Sequence, residues 1–269
     1  MFTAENSTII YFETKLTHYR GDLMLQAFVL TDVGKMRTIN QDAIYSSTEP
    51  VGPLPNLFIV ADGMGGHNGG EVASRSAVAY FCDYIKASEE ISAEGALDIM
   101  TSAAHFSNKS VLSQAELSPE LIGMGTTLTA CTIYGNKCNI VHIGDSRAYI
   151  VTPGTITQIT HDHSYVNEMV KAGQITQNEA KEHPKRNILT RALGIAPDVN
   201  VDGHICELES GSVVLLCSDG LFNMVSEESI KDLINSEQEP TAALVTAAND
   251  SGGADNISVI IVRINEVIP

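Results

Sequence analysis

Seven short segments of the chain are rich in Val, Ile, Thr and aromatic residues, and many of them are apolar on both faces, as in VVLLC at 213–217. Runs of this length that are rich in Val, Ile, Thr and aromatic residues and are bounded by Gly, Asp or Asn are typical of β-strands. A strand that is apolar on both faces needs a packing layer on each side, which excludes a sheet with one face open to water. The predicted strands are 24–31, 57–61, 126–133, 138–143, 148–151, 213–217 and 257–263.

Short turns join the strands in the middle of the chain, and Gly135-Asn136 is typical of a two-residue hairpin turn. Such connections pair strands antiparallel, whereas parallel pairing needs a longer crossover, usually a helix. We therefore expect an α+β fold with two stacked, mainly antiparallel sheets and helices outside them. Apolar spacing of three to four residues predicts helices over 70–87, 93–116, 164–172, 176–182, 227–235 and 240–249.

The 269 residues include 33 acidic and 16 basic side chains, which gives a net charge of −17. With 43% hydrophobic residues and no repeat, low-complexity tract or linker, the chain is expected to form one globular domain. The acidity disfavours a general nucleic-acid binder and a basic membrane-surface protein, because both rely on Lys and Arg. No apolar run approaches the roughly 18 residues that span a bilayer.

The five cysteines are odd in number, form no C-x-x-C pair and lie mostly in apolar segments. This usage is typical of buried, reduced thiols in a cytoplasmic protein. The N-terminal residues lack the basic region and long apolar core of a signal peptide. We therefore expect a cytoplasmic protein.

Aspartates bound five of the predicted strands, and a sixth lies ten residues after the first of them. A single Asp in this position commonly ends a strand and starts a turn. Several together would crowd like charges, which either protonate or bind cations, and oxygen ligands select Mg²⁺ or Mn²⁺ over zinc. Such a cluster can hold two cations, an arrangement suited to phosphoester displacement. The aspartates are Asp32, Asp42, Asp62, Asp145, Asp219 and Asp255.

A glycine-rich loop at 63–70 follows a strand and precedes a helix, which weakly resembles a dinucleotide-binding motif. Asp62 would repel a pyrophosphate, and Asp83 falls inside a predicted helix and not after a second parallel strand. The glycines favour instead a close approach that lets a backbone carbonyl join a metal site. The sequence HDH at 161–163 is interpreted as a polar turn before a helix capped near Ser164, and not as a metal clip.

Eight short motifs follow one another in order: TDVGKMRTINQD at 31–42, ADGMGG at 61–66, GTT at 125–127, GDSR at 144–147, DHS at 162–164, NILTRALG at 187–194, SDGL at 218–221 and DN at 255–256. Each motif alone is weak, but the ordered set is specific. It resembles the metal-dependent Ser/Thr protein phosphatases of type 2C in their bacterial form, over about residues 24–264.

The resemblance implies a four-layer αββα sandwich that hydrolyses phosphoserine and phosphothreonine in proteins, the products of bacterial Ser/Thr kinases. It implies a third, weaker ion shared by Asp145 and Asp219, and a phosphate-binding role for Arg37. A hydroxide bridging two ions would attack phosphorus directly, without a phosphoenzyme. The two main ions, Mn²⁺ or Mg²⁺, would be held by Asp62, the carbonyl of Gly63, Asp219 and Asp255, with Asp42 in or next to this set.

Three positions depart from the family pattern. Met64 stands where some members have a His proposed as general acid, so the proton donor stays open, with metal-associated water or His67 as candidates. Gln41 replaces an acidic residue of many members. Asn223 replaces an Asp that some members have near the third ion, which predicts weaker binding of that ion.

Two other classes of function stay open. A pseudophosphatase that acts as a binding module would have lost a metal-binding Asp, whereas all four main candidates are present. A phosphoesterase for small molecules would show low selectivity for phosphopeptides. Within the family, a regulatory phosphatase that acts on an anti-sigma antagonist is also compatible with the sequence.

Residues 1–23 precede the position at which bacterial members commonly begin, and Met24 lies at that position. We predict that Met24 is an alternative start, that 1–23 is a dispensable extension and that 24–269 is the phosphatase domain. A truncated chain that failed to fold or to act would contradict this. As an alternative, residues 9–12 could pair as an edge strand. We expect a monomer.

Overall fold

The structure is a computed structural model that describes residues 12–18, 23–66 and 69–266, with side chains at 24–66 and 69–265. Its strands include all seven predicted ones. They are β1 Phe12–His18, β2 Leu23–Asp32, β3 Asp42–Ser47, β4 Leu57–Met64, β5 Gly125–Thr126, β6 Leu128–Tyr134, β7 Lys137–Ile143, β8 Arg147–Val151, β9 Ile156–Gln158, β10 Asp202–Glu207, β11 Val213–Cys217 and β12 Ile257–Glu266.

The strands form two sheets, and every pairing among the described residues is antiparallel. The first sheet has the order β1-β2-β12-β11-β8-β9. The second has the order β10-β7-β6-β4-β3, with β5 paired to β4. The hairpin between β6 and β7 turns at Gly135, whose φ of 61° suits a two-residue turn.

Side-chain alternation along the strands produces three apolar layers. In β12, Ile260, Val262 and Ile264 pack with β4 residues such as Phe58 and Val60 between the two sheets. The alternate β12 residues, such as Val259 and Ile261, pack under the C-terminal helices. The outer face of β4 packs against the two long N-terminal helices. These layers confirm the predicted sandwich of two sheets between helices.

The six predicted helices are all present, and a one-turn helix follows β11. Ser164 caps α3 through the N–H of Asn167, and Thr176 forms a capping box with Glu179, as their sequence spacing predicts. Among the described residues, no helix has the length and apolarity needed to cross a membrane. The helices are α1 Gly69–Lys86, α2 Ala96–Glu116, α3 Tyr165–Lys171, α4 Gln177–Glu182, α5 Asp219–Phe222, α6 Glu227–Ser236 and α7 Pro240–Asp250.

The N-terminal extension contributes an edge strand. β1 pairs with β2, with Phe12 opposite Val29 and His18 opposite Met24. The alternative edge strand at 9–12 lies mostly outside the described residues. The dispensability of 1–23 stays a prediction.

Candidate active site

Two carboxylates meet across one strand pair of the second sheet. β3 and β4 are registered so that Asp42 lies directly opposite Asp62. Asp62 is further fixed through its backbone, because its N–H donates to Thr127 Oγ1 at 2.8 Å and its carbonyl accepts from Thr126 Oγ1 at 2.9 Å. The GTT motif therefore holds the end of β4 that carries Asp62.

The remaining carboxylates lie at the ends of strands in the first sheet. The chain segments that carry Asp219 and Asp255 lie side by side. The N–H of Ser218, next to Asp219, donates to the carbonyl of Ser258, three residues after Asp255, at 3.0 Å. Asp145 precedes β8, whose first residue, Arg147, pairs with Cys217 at the end of β11. The ends of both sheets thus meet at one site.

The pKa values of these carboxyl groups are raised by burial and by one another's charges. The pKa of Asp62 is raised well above its ordinary value, first by burial and then by the charges of Asp42, Asp219, Asp145 and Asp255. The pKa of Asp219 is also raised well above its ordinary value, first by burial and then by the charges of Asp145, Asp255 and Asp42, whereas Arg37 lowers it. Burial is the largest cause that raises the pKa of Asp42 to about 6 and of Asp145 to about 7. The cluster therefore cannot carry its full charge without a counter-charge.

Asp42 and Asp219 each have one carboxylate oxygen that accepts hydrogen bonds from the protein and one that accepts none. Asp42 Oδ2 accepts from the hydroxyls of Ser218 and Ser258 at 2.8 and 2.7 Å. Asp219 Oδ2 accepts from Asn223 Nδ2 at 3.1 Å. Oδ1 of both aspartates is buried without a hydrogen-bond partner. A buried unpaired carboxylate oxygen is costly, and a hard cation is its natural partner.

The backbone beside Asp62 is compact enough to bring a carbonyl into the cluster. A Cβ at Gly63 would overlap the carbonyls of Gly70 and Gln41, and a Cβ at Gly70 would contact the carbonyl of Gly63 at 2.6 Å. In the part of the chain that the structure describes, no three His, Cys, Asp or Glu side chains form a ready metal cage. The oxygen-only donor set of the aspartates fits Mn²⁺ or Mg²⁺, which prefer oxygen ligands.

Arg37 lies at the edge of this cluster. Its Nη2 donates to Asp255 Oδ2 at 2.8 Å, and about half of its side chain is exposed. A guanidinium in this position can bind two phosphate oxygens while it remains next to the carboxylates.

Two sequence candidates have structural roles outside the cluster. Asp32 ends β2 as an ordinary turn residue, because its Oδ1 accepts from the N–H of Gly34 and from Asn249 Nδ2. In the HDH turn, Asp162 forms two hydrogen bonds with Arg147 at 2.7 and 2.9 Å. His163 Nδ1 accepts from the N–H of Gly144 at 3.1 Å. The turn therefore supports the loop of Asp145, as expected of a polar turn.

Sequence reasoning did not assign the hydroxyls that orient Asp42. Ser258 is fully buried inside the apolar strand β12, and Ser218 is fully buried just before Asp219. The sequence offered one signal for Ser258, a single serine in an apolar strand next to an acidic motif. A buried hydroxyl needs a hydrogen-bond partner, and the nearby aspartates are candidates for it. His67, the candidate proton donor, lies outside the described residues.

Buried carboxylates with unpartnered oxygens, beside a partly exposed arginine, are compatible with the two elements that a metal-dependent phosphatase requires: ligands for metal ions and a group that binds phosphate. A family model described as Protein phosphatase 2C matches residues 35–250. The chain belongs to this family and is a protein serine/threonine phosphatase of its bacterial type, an enzyme with a metal cofactor.

Relatives and solved structures agree on the activity and the fold. The serine/threonine phosphatase stp of Listeria welshimeri is 38% identical over 241 residues, which cover 87% of this chain and 94% of that protein. The Streptococcus agalactiae serine/threonine phosphatase has a TM-score of 0.84 at 37% identity and covers 89% of this chain and 99% of that one. The catalytic domain of PstP, solved with two manganese ions, has a TM-score of 0.80 at 34% identity, covering 91% and 100%.

Proposed function

We propose that this phosphatase uses two Mn²⁺ or Mg²⁺ ions, and that their ligands are Asp62, the carbonyl of Gly63, Asp219 and Asp255, with Asp42 beside them. The observation that carries the proposal is the pair of buried, partnerless oxygens, Asp42 Oδ1 and Asp219 Oδ1. The two manganese ions in PstP support the same number here. When bound, such ions would activate water for attack on phosphorus and offset the negative charge of the phosphate.

The chain's own residues divide the remaining work. Ser218 and Ser258 keep one oxygen of Asp42 occupied and so direct the other toward the cation. Arg37 binds and orients the phosphate. We further propose a weaker third site at Asp145 and Asp219, where Asn223 donates a hydrogen bond that an Asp could not donate while ionised. Direct hydrolysis without a phosphoenzyme remains part of this proposal.

We infer that the substrates are phosphoserine and phosphothreonine proteins made by a Ser/Thr kinase, and that the enzyme acts as a cytoplasmic monomer. The reduced state of the cysteines supports the location: all five are free, and four of them are buried.

The deciding assay is hydrolysis of a phosphothreonine peptide with Mn²⁺ and with excess EDTA. We expect activity with Mn²⁺, its loss in EDTA and its return when Mn²⁺ is restored. A small aryl phosphate serves as a second substrate, and a preference for it over phosphopeptides would favour a small-molecule phosphoesterase. Activity that persists in EDTA would contradict the metal ligands proposed above.

Arg37→Ala is expected to raise KM for the phosphopeptide more than it lowers kcat. The loss of charge-assisted hydrogen bonds to phosphate predicts a decrease in kcat/KM of about 10- to 100-fold. Lys35→Ala is the matched control, because Lys35 is an exposed cation in the same loop that pairs instead with Asp250. Equal effects of the two substitutions would show that Arg37 contributes only general positive charge and does not bind phosphate directly.

A further inference from the structure

The loop that carries Arg37 has no strand pairing of its own. It connects β2 and β3 over residues 33–41, with 72% of Met36 exposed. Besides the contacts described below, the N–H groups of Lys35 and Met36 donate to the carbonyl of Gly253 at 2.8 and 3.1 Å. Such a loop does not hold an arginine in one place unless other contacts fix its shape. The contacts that fix it are therefore part of how substrate phosphate is bound.

One buried side chain closes this loop at both of its ends. Asn256 Nδ2 donates to the carbonyl of Val33 at 2.9 Å and to the carbonyl of Ile39 at 3.0 Å. Asn256 Oδ1 accepts from the N–H of Gln41 at 2.8 Å. Only 4% of Asn256 is exposed, so water cannot readily replace these bonds.

Asn256 also connects the loop to the partner of Arg37. Its own N–H donates to Asp255 Oδ1 at 2.9 Å, while Asp255 Oδ2 receives the Arg37 guanidinium. The next residue, Ile257, begins β12 and is registered opposite Asp32 at the end of β2. A rigid strand end therefore holds both the carboxylate and the loop that bring Arg37 into position.

We infer that Asn256 is a positioning residue for phosphate binding, which acts by fixing the loop at 33–41 around Arg37. The amide is suited to this because it has two donors for two carbonyls and one acceptor for an N–H. An aspartate would present an oxygen to the two carbonyls, and an alanine would remove all three hydrogen bonds. The inference rests on the phosphate-binding role proposed for Arg37.

The test is a double-mutant cycle between Asn256 and Arg37, measured as KM and kcat for a phosphothreonine peptide with saturating Mn²⁺. Asn256→Ala and Asn256→Asp are each expected to raise KM about tenfold, the range for two or three lost neutral hydrogen bonds, with a smaller change in kcat. In an Arg37→Ala background, Asn256→Ala should change KM by no more than about twofold, because the loop then has no arginine to position.

Asn56→Ala is the matched control. Asn56 is fully buried and also bonds backbone groups, the N–H and carbonyl of Ile133, but it precedes β4 at the end away from Asp62. It should lower the melting temperature and leave KM unchanged. If Asn256→Ala folds but leaves KM unchanged, or adds its full effect to Arg37→Ala, the inference is wrong.

Asn256→Ser extends the series if the other variants are unstable, with circular dichroism used to check their fold. A series in which no Asn256 variant folds would assign the residue to the fold and overturn the positioning role. If Arg37→Ala alone leaves KM unchanged, the role of Arg37 fails separately, which distinguishes the two proposals.

Discussion

Asp219→Asn is expected to lower kcat/KM for a phosphothreonine peptide at least about a hundredfold and to weaken Mn²⁺ binding by a similar factor. Even residues that only orient metal ligands commonly contribute about 10- to 100-fold. Asp219 Oδ1 is buried without a partner, and its charge interacts with those of Asp145, Asp255 and Asp42. The substitution is nearly isosteric, so it tests charge and coordination more than packing.

Steady-state kinetics across a Mn²⁺ titration, together with calorimetric measurement of Mn²⁺ binding, check this expectation. Asp32→Asn is the matched control: it is also an aspartate at a strand end, but it bonds to Gly34 and Asn249 and does not face the cluster. Near-normal activity is expected of that variant. An Asp219→Asn enzyme with more than about a tenth of normal activity would remove Asp219 from the ligands, given the size of ligand effects.

Apolar patterning predicted the fold well because the buried strands have unambiguous sequences. β11, with the sequence VVLLC, is buried at all five positions. Both of its faces pack, one against the second sheet and one against the C-terminal helices. Aspartates at the ends of such strands were therefore the natural candidates for a shared site. Strand ends alone did not separate them, because Asp32 also ends a strand but forms a turn outside the cluster.

Edge strands and hydrogen-bond geometry were not predictable in the same way. β10 (DGHICE) alternates between half-buried and exposed residues and has little apolar signal, although it pairs with β7 along its whole length. β3 has only one fully buried residue, Asp42. The role of Asn256 depends on which backbone groups of a distant loop the fold leaves unpaired, and no local pattern encodes that.

Metal-free protein is expected to become more stable as the pH falls from 8 to about 6.5. The pKa of Asp145 is raised to about 7, and those of Asp62 and Asp219 are raised well above their ordinary value by burial and by neighbouring carboxylates, so the native state binds protons that the unfolded state has released. Stability then rises as pH falls, by about 1.4 kcal/mol per pH unit for each such proton. Over this range the melting temperature should increase by at least about 2 °C, the shift expected from the Asp145 proton alone.

Two buried histidines oppose this trend at lower pH. Burial lowers the pKa of His142 to about 3 and also lowers the pKa of His163. Below about pH 6.5 the unfolded chain protonates these histidines while the native state resists protonation. In EDTA the two histidines therefore reduce the gain in stability that the raised carboxyl pKa values give as the pH falls further.

Mn²⁺ should reverse the slope above pH 6.5, since cations bind the ionised carboxylates and stabilise the native state by mass action. Asp62→Asn provides the decisive comparison. The substitution removes a carboxyl group whose pKa is raised well above its ordinary value. In EDTA at pH 8 the variant should therefore unfold at a higher temperature than the wild type. With Mn²⁺ it should be inactive. Melting curves in EDTA and in Mn²⁺ at pH 6.5, 7.2 and 8.0 test both statements. A metal-free wild type with the same melting temperature at all three pH values would contradict the expectation. It would show that repulsion among the carboxylates does not destabilise the native state without cations.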